Sequence, residues 1–261
     1  MSAQRSWFVQ ASRALAGERP PFVLCYHGVG EVAQSDDPHG LFVTSELFES
    51  HLDLIEARGY RLIALSELWQ RIEQGESVER LGSLTFDDGL ARTVETAMPI
   101  LHARNIVSSM FLPSGLLGTA HPGLGGDERI IERSQVRNLL DLGVEVGAHS
   151  VDHVRLTTVG YEEALEQMHR SKGELEDLLS IAVTSMAYPF GALNEETIAA
   201  ARTAGYEIAC GCSGPAPLRA LAAPREPVFQ TASDLRLSLK LLGLYGPAYR
   251  VAGARRRRSR A

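Results

Sequence analysis

The chain has 261 residues, 44% of them hydrophobic and 22% charged, which fits one large α/β domain with a sizeable core. A net charge of −6 argues against general nucleic-acid binding through the body of the protein. The charge is uneven: residues 250–261 hold six arginines and no acid, so residues 1–249 carry −12.

Residues 1–17 lack the pattern of a signal peptide, and no stretch reaches the ~18 apolar residues that a membrane span requires. The expected location is therefore the cytoplasm. Phe22, Val23, Leu24, Cys25 and Tyr26 form an apolar run of strand formers ending at His27 and Gly28, a buried first strand. Residues 30–44 are polar and read as a loop. Ser45 is placed to cap a helix with Phe48, Leu52 and Ile55 on one face, and Gly59 stops it. A strand over 60–63 and a short helix opening at Ser66 follow.

Leu84, Thr85 and Phe86 make the next strand. Residues 93–104 read as a helix bent at Pro99, and 107–112 as a strand. Residues 113–127 carry five glycines and two prolines and read as the rim of a site. A helix from Ser134 to near Gly143 precedes a strand over 144–148. A long amphipathic helix over 161–179, a strand over 183–187, a helix over 195–204 stopped by Gly205, and a strand over 206–210 complete the pattern. Strand and helix alternate six or seven times, which argues for βα units and a parallel sheet. His27, Asp87, Asp88 and His149 all follow strand ends, where a barrel of this class places its chemistry.

Two segments carry that chemistry. Asp87 and Asp88 end the Leu84–Phe86 strand, and Gly89 turns the chain after them, so both carboxylates can reach one pocket. About 60 residues later His149 and His153 stand four apart, spaced as on one helical turn. Two imidazoles alone would read as surface residues at chance spacing. Joined by an acidic pair at another strand end, they make a His₂–carboxylate metal site with a spare carboxylate for a general base, the equipment of a metal-assisted hydrolase. Cys25, Cys210 and Cys212 give no disulfide framework. All three lie in apolar runs and are expected as buried thiols, suited to a reducing compartment. Trp69 reads as core. His39 and His121 lie in loops able to line a cleft, and nothing specifies them. His51, His102 and His169 fall on helix patterns and are expected to face solvent.

The order Thr85-Phe86-Asp87-Asp88-Gly89, then His149-Ser150-Val151-Asp152-His153, then Tyr188-Pro189-Phe190-Gly191 resembles the polysaccharide deacetylase family, whose catalytic domain is the NodB homology domain. The likeness runs from about residue 21 to about residue 228. It implies an irregular (β/α) barrel of about seven parallel strands in a single domain at residues 21–249. Residues 1–20 would be an extension and 250–261 a disordered basic tail. It also implies Asp88, His149 and His153 as ligands of one divalent metal ion and Asp87 as the general base. Zinc is favoured by the nitrogen and carboxylate donors, with cobalt, nickel and iron left open.

Two departures from the family pattern are visible. Relatives often supply a general acid from a late Leu-x-His motif, yet no histidine follows His169 here. His27 is the substitute, since an early histidine serves as acid in the biofilm poly-N-acetylglucosamine deacetylases, which this chain is similar to at that point. Relatives also carry an arginine where this chain has Ala187; Arg225 is the candidate to orient Asp87 instead. Phe190 stands where a tyrosine is usual and would act at the oxyanion through its backbone N–H, beside Tyr188 at the oxyanion and substrate side, which is expected to shape the turn more than to do chemistry.

The implied activity is removal of N-acetyl groups from amino sugars of a polysaccharide or glycan precursor, with an O-acetyl target also open. One alternative is a deacylase or deformylase of a lipid- or nucleotide-linked amino sugar at the cytoplasmic membrane face. Arg255, Arg256, Arg257, Arg258 and Arg260 would then give peripheral membrane contact, each worth roughly 1 kcal/mol near an anionic surface, although the same run also fits a merely solvated tail. The other alternative is a glycan-binding homologue that has lost catalysis. The expected partner in every version is carbohydrate, not nucleic acid.

Overall fold

The computed structural model describes residues 19–212 and 220–242. The basic tail and all but the last two residues of the expected N-terminal extension lie outside the described residues. Strand β1 (Phe22–Tyr26) is buried at every position because both its faces are covered. Short β2 (Gly28–Val29) pairs with β3 (Phe42–Val43), which lies inside the expected 30–44 loop region. Helix α1 (Ser45–Ala57) buries Phe48, Leu52 and Ile55 as the pattern predicts. Its cap is Thr44, whose Oγ1 accepts from the Leu47 N–H at 3.1 Å; Ser45 is the first helical residue instead.

The remaining units follow in order: β4 (Arg61–Leu62), α2 (Leu65–Glu73), β5 (Leu81–Phe86), α3 (Ala91–Ala103), β6 (Ser108–Leu112), α4 (Asn138–Asp141), β7 (Val144–Ala148), α5 (Tyr161–Leu179), β8 (Ser185–Ala187), α6 (Glu195–Thr203) and β9 (Ile208–Gly211). Helix α3 runs through Pro99 without a break. The helix expected from Ser134 is reduced to a single 3₁₀ turn at Arg133–Gln135 and the one-turn α4. Two two-residue strands, β10 (Ala223–Pro224) and β11 (Glu226–Pro227), and helix α7 (Asp234–Leu241) complete the described chain.

Every strand pairing among the described residues is parallel, in the order β10-β9-β8-β7-β6-β5-β1-β11, with β4 added beside β5. The two ends of this sheet are the halves of one five-residue segment. Ala223 and Pro224 pair with Cys210 and Gly211 of β9, whereas Glu226 and Pro227 pair with Leu24 and Cys25 of β1. Arg225 is the pivot between them. Counting that segment as one stave, the sheet is a nearly closed barrel of seven parallel strands, the architecture expected.

Strand alternation sorts the side chains. Leu24, Tyr26, Leu84, Phe86, Met110 and Val146 face the helices in the larger core. Val23, Phe111, Ala187 and Cys210 join Leu68 and Trp69 of α2 in a second cluster that fills the barrel's lower end. Helix α2 has no side-chain cap of its own. Glu145 of β7 serves instead, accepting from the Ser66 N–H at 3.2 Å and from the Ser66 hydroxyl, with its other oxygen held by Ser185 at 3.1 Å. The polar positions at the opposite end form the site.

Candidate active site

Along β5 the inward positions are Ser83 and Thr85, and Asp87 continues that parity one residue past the strand, its N–H still bonded to the Tyr26 carbonyl at 2.9 Å. Asp88 has φ 69° and Gly89 φ 63°. Two successive left-handed residues turn the chain sharply, and a Cβ on Gly89 would meet Leu112 at 2.4 Å. This turn lets adjacent carboxylates share one cavity.

Arg225 clamps Asp87. Its Nη1 lies 2.7 Å from Oδ1 and its Nη2 2.7 Å from Oδ2, and Nη1 also donates to Thr85 Oγ1 at 3.0 Å. Both residues are 2% exposed, which makes this a desolvated bidentate pair. Burial pushes the Asp87 carboxyl up, but Arg225, His149 and His27 outweigh it and hold the group at about 2. Arg225 is held well above its ordinary value by the same partner, against burial.

The segment from His149 to His153 is a loop, not the helical turn the spacing suggested, with Ser150 and His153 at φ 60° and 52°. Its shape comes from α5. Gln167 Oε1 accepts from the N–H groups of Val151 and Asp152, both at 3.0 Å, its Nε2 donates to Asp152 Oδ2 at 2.7 Å, and Ser171 donates to the Ser150 carbonyl at 3.0 Å. So held, His149 Nε2 and His153 Nε2 stand 3.5 and 3.2 Å from Asp88 Oδ1. Asp88 Oδ1 is buried and accepts no hydrogen bond.

His149 Nδ1 donates to the Ala187 carbonyl at 2.8 Å, so in the neutral ring Nε2 presents a lone pair to a carboxylate oxygen. Such an arrangement needs a positive charge between the two atoms. The donor atoms of Asp88, His149 and His153 all lie within 4.8 Å of one another, so the set fits a divalent cation. Without one, the two carboxylates raise the His149 pKa against the effect of burial, whereas burial lowers that of His153.

His121, which nothing in the sequence singled out, holds the other Asp88 oxygen. Its Nδ1 accepts from the Gly123 N–H at 3.1 Å, so its Nε2 carries the proton and faces Asp88 Oδ2 at 3.3 Å. Burial opposes ionisation of Asp88, yet the three imidazoles keep it well below the usual carboxylate range. His121 lines the cleft as its loop position allowed, as does His39, but its hold on Asp88 was not foreseen, and Gln167 was missed at the sequence level altogether. Gln167 had a signal, a polar residue in the buried stripe of α5 with Ala164, Met168 and Leu175.

Asp87, Asp88, His121, His149 and His153 line a cavity of about 670 Å³ that also includes His27, Phe190, Cys212 and Phe229. His27 follows β1, and its Nδ1 is buried without a hydrogen-bond partner. Donor atoms of Cys25, His27 and Asp87 also come within 4.8 Å of one another, but the guanidinium on both Asp87 oxygens disfavours a second cation there. Phe190 has φ 61° and is 56% exposed, with its ring 4.7 Å from that of His153 and under the Arg155 guanidinium at 4.5 Å.

Tyr188 is not in the cavity. It is fully buried and its hydroxyl donates to the Leu221 carbonyl at 2.9 Å, which excludes its side chain from substrate contact and leaves it shaping the turn. Two other expectations need correction. His51 is fully buried, not solvent-facing, because Nε2 donates to the Ala232 carbonyl at 2.7 Å and Nδ1 pairs with the Tyr26 hydroxyl at 3.1 Å. Cys212 is half-buried and reaches the cavity. Trp69 is core as expected.

No helix among the described residues is long and apolar enough to cross a membrane. Residues 74–209 match the family model described as polysaccharide deacetylase. YxkH of Bacillus subtilis, a polysaccharide deacetylase by name, is 24% identical over 187 residues, 71% of this chain and 62% of its own length. The peptidoglycan-N-acetylglucosamine deacetylase PgdA of Listeria monocytogenes is 30% identical over 114 residues, 44% of this chain and 22% of its own. The chain therefore spans less than two thirds of either curated relative. Among solved structures, the Streptococcus pyogenes deacetylase PplD shares the fold with a TM-score of 0.75 at 22% identity, over 86% of this chain and 98% of that one. With the family model covering more than half its length, the chain belongs to the polysaccharide deacetylase family, a family of hydrolases acting on carbon–nitrogen bonds other than peptide bonds.

Proposed function

We propose that this protein is a metal-dependent hydrolase that removes N-acetyl groups from amino sugars of a glycan. The observation that carries the reading is the meeting, at one barrel mouth, of an Asp-His-His donor set and a second carboxylate clamped by a buried arginine. PgdA, by its name, acts on an N-acetylated amino sugar. Two exposed aromatic rings at the cleft, Phe190 and Phe229, offer apolar faces to a sugar ring.

Asp88, His149 and His153 would hold the cation, and their nitrogen and carboxylate donors suit zinc. A divalent ion there supplies a Lewis acid that polarises the amide carbonyl and acidifies water, which lets a carboxylate of low basicity serve as the base. Asp87 takes the proton of the attacking water. Arg225 uses one lone pair on each Asp87 oxygen, and a carboxylate has about four such sites, so acceptor capacity remains for that proton. The Phe190 backbone N–H, on a turn at the cavity wall, would donate to the developing oxyanion. His27 hands a proton to the departing amine nitrogen. The alternative of a lapsed, glycan-binding homologue rests on the absent late histidine and the absent arginine at Ala187, and the second support weakens because Arg225 brings a guanidinium to Asp87.

Acetate release from N-acetylglucosamine oligomers, measured with zinc, after chelation and after zinc is restored, tests this. Release should follow the metal, and Asp87→Asn should lower kcat by roughly 10²–10⁴-fold. Release that survives chelation would defeat the proposal. So would its absence from polymeric, lipid-linked and nucleotide-linked N-acetylated sugars alike, with one ion bound per chain.

A further inference from the structure

Cys25 and Cys212 come from opposite edges of the sheet, yet their sulfurs are 3.5 Å apart. Cys25 lies on β1 at the pair Cys25–Pro227, and Cys212 follows β9 directly. They meet where Arg225 bridges the two edges. The Arg225 Nη2 is 3.5 Å from Cys212 Sγ, and Cys25 Sγ is 3.4 Å from Asp87 Oδ2. The two thiols differ in access. Cys25 is fully buried, whereas Cys212 is half-buried and lines the cavity, so a small solute in the cleft meets Cys212 first.

We infer that Cys212 and Cys25 form a peroxide-reactive dithiol in which Cys212 is the attacking sulfur and Cys25 the resolving one. The oxidant is a hydroperoxide, with hydrogen peroxide as the simplest member. The Cys212 thiolate attacks one peroxide oxygen, the O–O bond breaks, and hydroxide leaves to collect a proton as water, giving a sulfenic acid on Cys212. The Cys25 sulfur then attacks the Cys212 sulfur. The S–O bond breaks, the S–S bond forms, and the Cys25 proton leaves with the hydroxyl as a second water. Two thiols are oxidised by two electrons and one peroxide is reduced to two waters.

The surroundings divide the roles in the same way. The sulfur–sulfur contact with Cys25 and the charge of Arg225 bring Cys212 down to about 6 against burial, while that contact and burial push Cys25 well up. Cys210, two residues away, is buried and raised to about 12, so it is the built-in unreactive control. The product would staple β1 to the end of β9, across the seam that the 223–228 segment bridges with backbone hydrogen bonds.

The test needs no turnover and so stands apart from the deacetylase reading. Metal-loaded full-length protein is treated with hydrogen peroxide, free thiols are blocked in denaturant, and the digest is mapped by mass spectrometry. One intramolecular Cys25–Cys212 cross-link per chain is expected, with Cys210 still free and full reversal by dithiothreitol. In Cys25→Ser, Cys212 should accumulate as a sulfenic acid trapped by a 1,3-dione; in Cys212→Ser, Cys25 should stay a thiol at the same dose. Sulfinic acid on Cys212 of the native protein beside an unmodified Cys25 would overturn the pairing. Cys210 reacting as fast as Cys212, or cross-links only between chains, would overturn it equally, and the native map decides the matter even where a variant fails to fold.

Discussion

Replacing Arg225 with methionine keeps most of its volume and removes the charge that holds Asp87. Lowering a carboxyl from 3.8 to about 2 corresponds to roughly 2.4 kcal/mol of stability at neutral pH, at about 1.4 kcal/mol per pH unit. Desolvation of the stranded partner adds to this, and breaking a buried pair from one side costs about 3–5 kcal/mol. Arg225→Met should therefore lower Tm by roughly 6–20 °C in a chain of this size. The pH dependence has a definite sign. Asp87 is depressed in the folded state, so its contribution is complete above the unfolded value near 3.8 and is lost as pH falls through about 2. The stability gap between native protein and variant should thus be widest at neutral pH, with about half of the Asp87 contribution gone by pH 3. Urea unfolding of metal-free protein at several pH values measures this. The double variant Asp87→Leu with Arg225→Met should be less destabilised than the sum of the singles, because neither charge is stranded. A cost under about 1 kcal/mol, the size of a surface pair, or strict additivity would refute the reasoning.

Other outcomes follow from the site. Chelation should lower Tm, and metal at 100 times its Kd should restore about 2.7 kcal/mol, because the cation neutralises the lone pair and carboxylate facing each other at His149 and Asp88; an unchanged Tm would remove the cation from that position. His121→Ala and Gln167→Leu should each weaken metal binding about 10–100-fold by titration calorimetry without touching a ligand, with His121→Gln recovering part of it through its N–H donor. His27→Ala should cut kcat on N-acetyl substrates by roughly 10²–10⁴-fold while sparing aryl acetates, whose leaving group needs no proton; equal losses on both would take the acid role away from His27.

What the sequence disclosed here, and what it withheld, divides along locality. The barrel was legible because each βα unit writes its own period, and the tips at Asp87, Asp88 and His149 were legible because ligand-type residues stood at strand ends. The three core metal candidates do converge, but by a route that spacing did not reveal. His149 and His153 meet through a loop with two left-handed residues, pinned by a glutamine sixteen positions beyond Val151. His121 sits in a glycine-rich loop with no period to mark it, and its task exists only once Gly123 fixes its tautomer and Asp88 arrives from β5.

Contacts between sheet edges were harder still. Arg225 acquires its meaning from a partner 138 residues away, and Cys25 from a sulfur 187 residues away, because both belong to the seam that closes the barrel. A seam made of two-residue strands leaves almost no periodicity to detect. His51 is the opposite case: it lies between Phe48 and Leu52 in a helix whose buried stripe was already drawn, so an unpaired polar residue there should have been assigned a buried partner. The distinction is physical. Periodicity reports which face of an element is covered, whereas the pairing of inward polar groups depends on which strands the closing segment joins. Here the closing segment itself carries the arginine that clamps Asp87, so the guanidinium reaches the β5 tip from the stave that joins the two ends of the sheet.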